Sequence, residues 1–110
     1  FNIPLVHKIC ELYKLFHEFL KLFPKQEKYS LGQKTENTIL DILEAILSAT
    51  YLPGCTKKPA IKKASDKNDL LKYLIRLAHE TKSINDKHYI MLEAKIIETG
   101  RMLGGWIKSI

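Results

Sequence analysis

The sequence predicts an all-α protein, an antiparallel four-helix bundle formed by one domain over residues 1–110. Three observations predict it. Apolar residues recur at three- and four-residue steps in four successive stretches, which is the period of an α-helix. The stretches are separated by short turn-forming runs, and no useful strand-like alternation intervenes. The chain has 110 residues, 45% of them hydrophobic, enough to fill one core and no more. Consecutive helices on short connections pack most simply as antiparallel neighbours.

Residues 3–22 read as the first helix, with Pro4 in the first turn, where a missing N–H costs nothing. Leu5, Ile9, Leu12, Phe16, Phe19 and Phe23 form its stripe. Val6, Tyr13, Leu15, Leu20 and Leu22 widen the apolar arc beyond what one core contact requires. Pro24 ends the helix, and residues 25–29 read as a polar connection.

Ser30-Leu31-Gly32-Gln33 has the pattern of a capping box opening a second helix that runs to about Tyr51. Its main stripe is Leu31, Thr35, Thr38, Ile42, Ala45, Ile46 and Ala49. Leu40, Leu43 and Leu47 lie well round the cylinder, so this helix needs neighbours on two sides. Pro53-Gly54 marks a turn, and a third helix is expected from near Pro59 to near Lys82. Leu70, Leu71, Leu74, Ile75, Leu77 and Ala78 are its core candidates. Lys62, Asp66, Asp69, Lys72, Tyr73, Arg76 and Glu80 make its outer face. Asn85 is placed to cap a fourth helix from Asp86 to about Lys108.

The end of that fourth helix carries an anomaly. Tyr89, Leu92, Ile96, Leu103 and Ile107 form a stripe, with Thr99 and Gly100 filling it. Yet Gly100, Gly104 and Gly105 fall within six residues, each costing about 1 kcal/mol of helix propensity. Gly100 and Gly104 share a face that another backbone can approach, or else they mark a fraying end. Trp106 and Ile107 beyond them need something to pack on. Leu40, Leu43 and Leu47 on one side, with Gly100, Gly104 and Trp106 on the other, are therefore the candidate faces of an oligomer interface. In an odd-numbered ring such unlike faces meet.

The net charge is +6 and uneven. Residues 57–87 hold nine basic side chains against four acidic ones, nearly the whole excess. Such a block suits a polyanion, or serves solubility alone. Cys10 and Cys55 form no disulfide framework, no leader segment is visible, and no apolar run approaches the ~20 residues that span a bilayer, so a cytoplasmic protein is expected. Chemistry is sparse. His7, His17, His79 and His88 are scattered, which supports no metal site and no cofactor. Glu36, Asp41 and Glu44 lie along a narrow polar strip, where solvated acids belong. Arg76 and His79 share a side of the third helix and are the most enzyme-like pair, although Arg76 can equally pair with Glu80. No catalytic residues are assigned, and a non-enzymatic protein is expected.

Three stretches carry a resemblance: Arg-Met-Leu-Gly-Gly-Trp-Ile-Lys at 101–108, Phe23-Pro24-Lys25 with Leu-Gly-Gln-Lys-Thr-Glu at 31–36, and Leu-Ile-Arg-Leu-Ala-His-Glu at 74–80. With their spacing they cover most of the chain. They resemble Avd, the accessory variability determinant of diversity-generating retroelements. That family is similar in turn to the four-helix proteins of 23S ribosomal RNA intervening sequences. The resemblance implies a homopentamer that binds RNA and DNA and associates with the reverse transcriptase of the retroelement, supporting mutagenic cDNA synthesis. Lys34, Arg76, Arg101 and Lys108 fall in the matching motifs and are the implied nucleic-acid contacts. Lys57, Lys58, Lys62, Lys63 and Lys72 join them on charge alone. The alternatives are an intervening-sequence protein without a reverse-transcriptase partner, and an oligomeric scaffold that binds no nucleic acid.

Overall fold

The computed structural model describes residues 3–110, all of them in helices and the turns between helices. α1 spans Ile3–Leu20, and its stripe is buried as the periodicity requires: Leu5, Ile9, Leu12, Phe16, Phe19 and Phe23 all enter the core. The helix stops two residues early. Leu22 and Phe23 donate to the carbonyls of Phe19 and Leu20 at 3.0 and 3.1 Å in a tight turn, which folds Phe23 back under Phe16.

The expected polar connection after Pro24 is itself helical. α2 (Lys25–Glu27) continues through a π-helical stretch, Lys28–Gly32, directly into α3 (Gln33–Thr50). Pro24, in extended geometry, stands at the helix start, with Glu27 in the first turn where a carboxylate is favoured. The capping box at Ser30 therefore does not form. Ser30 lies inside the helix, and its hydroxyl donates back to the Gln26 carbonyl at 3.1 Å. The stripe of α3 is buried as expected, with Ile39 added to it. Its buried threonines satisfy themselves: Thr35 and Thr38 donate to Leu31 and Lys34 carbonyls at 2.8 and 2.7 Å.

α4 spans Gly54–Glu80 and starts at the Pro53-Gly54 turn, not at Pro59. Pro59 lies inside it, at the cost of the hydrogen bond its nitrogen cannot make. Ile61, Ala64 and Asn68 extend the buried face into the half that looked poor in apolar residues, while Leu77 is 46% exposed. α5 spans Asp86–Lys108, capped by the Asn85 side chain, which accepts from the His88 N–H at 2.7 Å. α1 packs on α3 and α5, and α4 packs on both from the other side, so α1 and α4 face each other diagonally. His17 near the end of α1 pairs with Glu36 near the start of α3, and His79 at the end of α4 pairs with Asp86 at the start of α5, as antiparallel neighbours do. The bundle measures 44 × 22 × 19 Å.

The end of α4 closes with Lys82 in the left-handed region, φ 62°. Ser83 N–H reaches the Ala78 carbonyl at 2.8 Å, a helix-ending geometry that ordinarily selects glycine at the Lys82 position. Lys82→Gly is expected to stabilise the bundle by about 0.5–1 kcal/mol, because relief of the left-handed strain exceeds the added entropy of the unfolded chain. A urea midpoint at or below that of the parent chain would contradict this.

Candidate nucleic-acid interface

Four of the expected cations share one stripe of α4. Lys58, Lys62, Lys72 and Arg76 are all exposed and fall within an arc of about 80° on a regular helix. The stripe runs along the α5 side of the outer face, and Lys58 and Arg76 mark its ends, about 27 Å apart along the axis. Lys58 and Lys62 border Ile107 of α5 at one end. Lys72 and Arg76 border Ile97 and Glu93 of α5 nearer the other. Arg101 and Lys108 are exposed on α5 itself.

The stripe is not purely cationic. Lys62 donates to Asp66 at 2.8 Å, and that bond raises the lysine pKa above its ordinary value. Arg101 donates to Glu98 at 2.8 Å. Lys72 and Arg76 border a cleft with Asp69, and neither forms an ion pair among the described residues. Arg76 instead lies over the Tyr73 ring, 5.4 Å from its centroid, and no ion pair joins it to Glu80 among the described residues.

Other expected contacts lie elsewhere. Lys63 turns to the α3 side, into a cleft shared with Asp41, Glu44 and Lys67, where its charge is locally offset. Lys57 is half-buried. Lys34 is exposed on the first turn of α3, at the opposite end of the bundle from Lys57, Lys58, Lys62 and Lys63. The block of lysines that looked continuous in the sequence is thus divided between two grooves, because residues 62 and 63 differ by 100° around a helix.

The enzyme-like pair is separated by its contacts. His79 Nε2 lies 2.6 Å from Asp86 Oδ1, and its ring stacks on Tyr89 with centroids 4.4 Å apart. These bonds tie the end of α4 to the start of α5. Tyr89 donates to Glu93 at 2.8 Å, which together with partial desolvation raises the phenol pKa, while nearby Arg76 acts in the opposite direction. Glu36, Asp41 and Glu44 are likewise dispersed, Glu36 to His17 and Asp41 to Lys67. Among the described residues no three His, Cys, Asp or Glu side chains are grouped to hold a metal ion, and no helix is long and apolar enough to cross a membrane.

Of the expected interface residues, Leu43 and Trp106 pack partly against the chain's own core. Leu47 is half-buried and Leu40 is 40% exposed. Gly100 and Gly104 differ. A Cβ at Gly100 would lie 3.1 Å from Asn68 Nδ2, so the space left by this glycine is taken up inside the bundle. A Cβ at Gly104 would meet nothing within 4 Å. Asn68, buried between α4 and α5, carried no signal in the sequence beyond its polarity in an otherwise apolar stripe.

A comparison with curated proteins finds no match. A family model described as bAvd-like matches residues 4–110, spanning all four long helices and the three motifs at 23–36, 74–80 and 101–108. The chain belongs to the Avd family.

Proposed function

We propose that this protein is a non-enzymatic accessory protein of a diversity-generating retroelement. In this reading it binds RNA or DNA through the outer face of α4 and α5, associates with the retroelement's reverse transcriptase, and assembles as a homopentameric ring in the cytoplasm. The family supports the retroelement role. The observation that carries nucleic-acid binding is the exposed stripe of Lys58, Lys62, Lys72 and Arg76, with Arg101 and Lys108 on the adjoining helix. Exposed cations spaced along one helix track a phosphate backbone, and their binding energy comes from counterion release.

Salt dependence tests this directly. The logarithm of the affinity for RNA or DNA is expected to fall linearly with the logarithm of salt concentration. Lys72→Ala and Arg76→Ala should each lower the slope by about one. Absence of binding at low salt would favour a scaffold whose lysines only confer solubility.

Assembly has its own test at Gly104. Because a Cβ there meets nothing within 4 Å, Gly104→Leu is expected to leave the isolated bundle intact and gain about 1 kcal/mol of helix propensity. If the glycine face receives a neighbouring subunit, the added side chain shifts the protein to smaller species in light scattering. An unchanged mass would remove Gly104 from the interface.

A further inference from the structure

Between α4 and α5, at the level of Arg76, the bundle leaves a half-enclosed cavity of about 200 Å³. Its floor is apolar, because Ile75 and Ile96, each 1% exposed, lie at its base. Ile97 forms one wall and remains 44% exposed. Along the same side of α5 the Tyr89 hydroxyl donates to Glu93 Oε2, and the other oxygen of that carboxylate has no hydrogen-bond partner among the described residues. Lys72 and Arg76 frame the mouth. Both also border an adjoining cleft of about 290 Å³, shared with Tyr73, which is 62% exposed.

A surface that only tracks phosphates needs cations and nothing else. Here the cations frame a hole with an apolar floor and a carboxylate in its wall. Glu93 repels a phosphate, so the hole itself is not an anion site. It is also smaller than the roughly 300–1,000 Å³ of pockets that take drug-sized ligands. The group that fits is a flat ring, apolar on its faces, with N–H donors on its edge and a phosphate alongside. A nucleobase has that chemistry.

Resting on the nucleic-acid reading above, we infer that this cavity receives one unpaired base of a single strand. The flanking phosphates lie on Lys72 and Arg76, and the next base stacks on Tyr73. Glu93 sets the preference among bases. Guanine presents two adjacent donors, N1–H and N2–H, to a carboxylate. Thymine and uracil present one N–H between two carbonyl oxygens, which the carboxylate repels. A duplex is excluded, because its base edges are already paired.

The test uses the full chain and three labelled probes in a fluorescence-anisotropy titration at fixed salt. The probes are a short oligothymidine strand, the same strand with one central guanosine, and a duplex of equal length. The guanosine strand is expected to bind about tenfold tighter than oligothymidine, and the duplex most weakly. Ile97→Trp fills the cavity from its exposed wall without changing charge and should erase the guanosine advantage. Glu93→Gln is the second variant and should decide the matter if Ile97→Trp does not fold. It makes the surface more positive, so a site acting by charge alone would bind all three probes tighter by one common factor. The cavity instead predicts that the guanosine advantage falls toward unity. Equal binding of all three probes by the parent chain, or a guanosine preference that survives both variants, overturns the base site while leaving charge-driven binding in place. Failure of every probe to bind at low salt overturns the nucleic-acid reading and the base site with it.

Discussion

Replacing Asn68 with aspartate is expected to cost about 3–5 kcal/mol of folding free energy. Asn68 is 2% exposed, and its Nδ2 donates to the Ile96 carbonyl at 3.2 Å. Its Oδ1 is buried without a hydrogen-bond partner. Aspartate keeps the shape but loses the donor and sets a buried charge against a carbonyl oxygen. A loss of that size is a large part of the ~5–15 kcal/mol that holds a domain folded. Asn68→Leu is the informative contrast. It removes the orphaned oxygen together with the donor, and near-isosteric apolar replacement should leave stability within about 1.5 kcal/mol of the parent. Urea denaturation of both variants checks the pair. An aspartate variant as stable as the leucine variant would mean that solvent reaches this position.

The second large effect is expected at Gly32, where alanine should destabilise by about 1–3 kcal/mol despite its better helix propensity. The backbone there is ordinary right-handed helix, φ −60° and ψ −46°, so conformation does not require glycine. Space does. A Cβ would collide with Leu20 Cδ1 and would lie 3.2 Å from Phe23 Cδ2 and 3.3 Å from the Glu27 carbonyl oxygen. Leu20 can swing aside, but Phe23 is 5% exposed within the core, and the Glu27 oxygen belongs to the backbone. The thermal midpoint should fall by about 4–8 °C for each kcal/mol lost. A midpoint equal to the parent's would show that Leu20 and the π-helical stretch can absorb a methyl group.

These two positions also show where sequence reading stops. The core of α1 was legible residue by residue, because a 3.6-residue stripe of large side chains has one consistent orientation. The α5 cap at Asn85 was legible for a similar reason: capping is a local event between a side chain and an N–H three residues on. Ser30 misled by the same local rule. A serine followed by glutamine fits a cap, but Pro24 had already started the helix, and a serine inside a helix bonds backward as readily as it caps. Pro59 misled because proline favours a helix start, whereas here the exposed first turns of α4 tolerate it. Of the candidate site, the outer stripe of α4 was legible as charge and helical phase. The cavity beneath it was not, since it exists only where Arg76 and Glu93 are brought together across two helices. Nor was the partnership of Gly100 with Asn68, whose positions are 32 residues apart.

The two ends of the bundle are not equally fastened, and this has a mechanical consequence. One end is stitched between helices by His17–Glu36 at 3.0 Å, His79–Asp86 at 2.6 Å and the stack of Phe19 on His88 at 3.7 Å. The other end begins with a turn of α4 that is almost wholly exposed, and Pro59 deletes one of the rungs that would hold it to the next turn. Unzipping will therefore start from the end that carries Lys57 and Lys58, at a small fraction of the cost of opening the whole bundle. On the reading proposed above, the cations of α4 would then differ in compliance: Lys57 and Lys58 lie at the end that opens first, while Arg76, with Tyr89 and Glu93, lies near the stitched end.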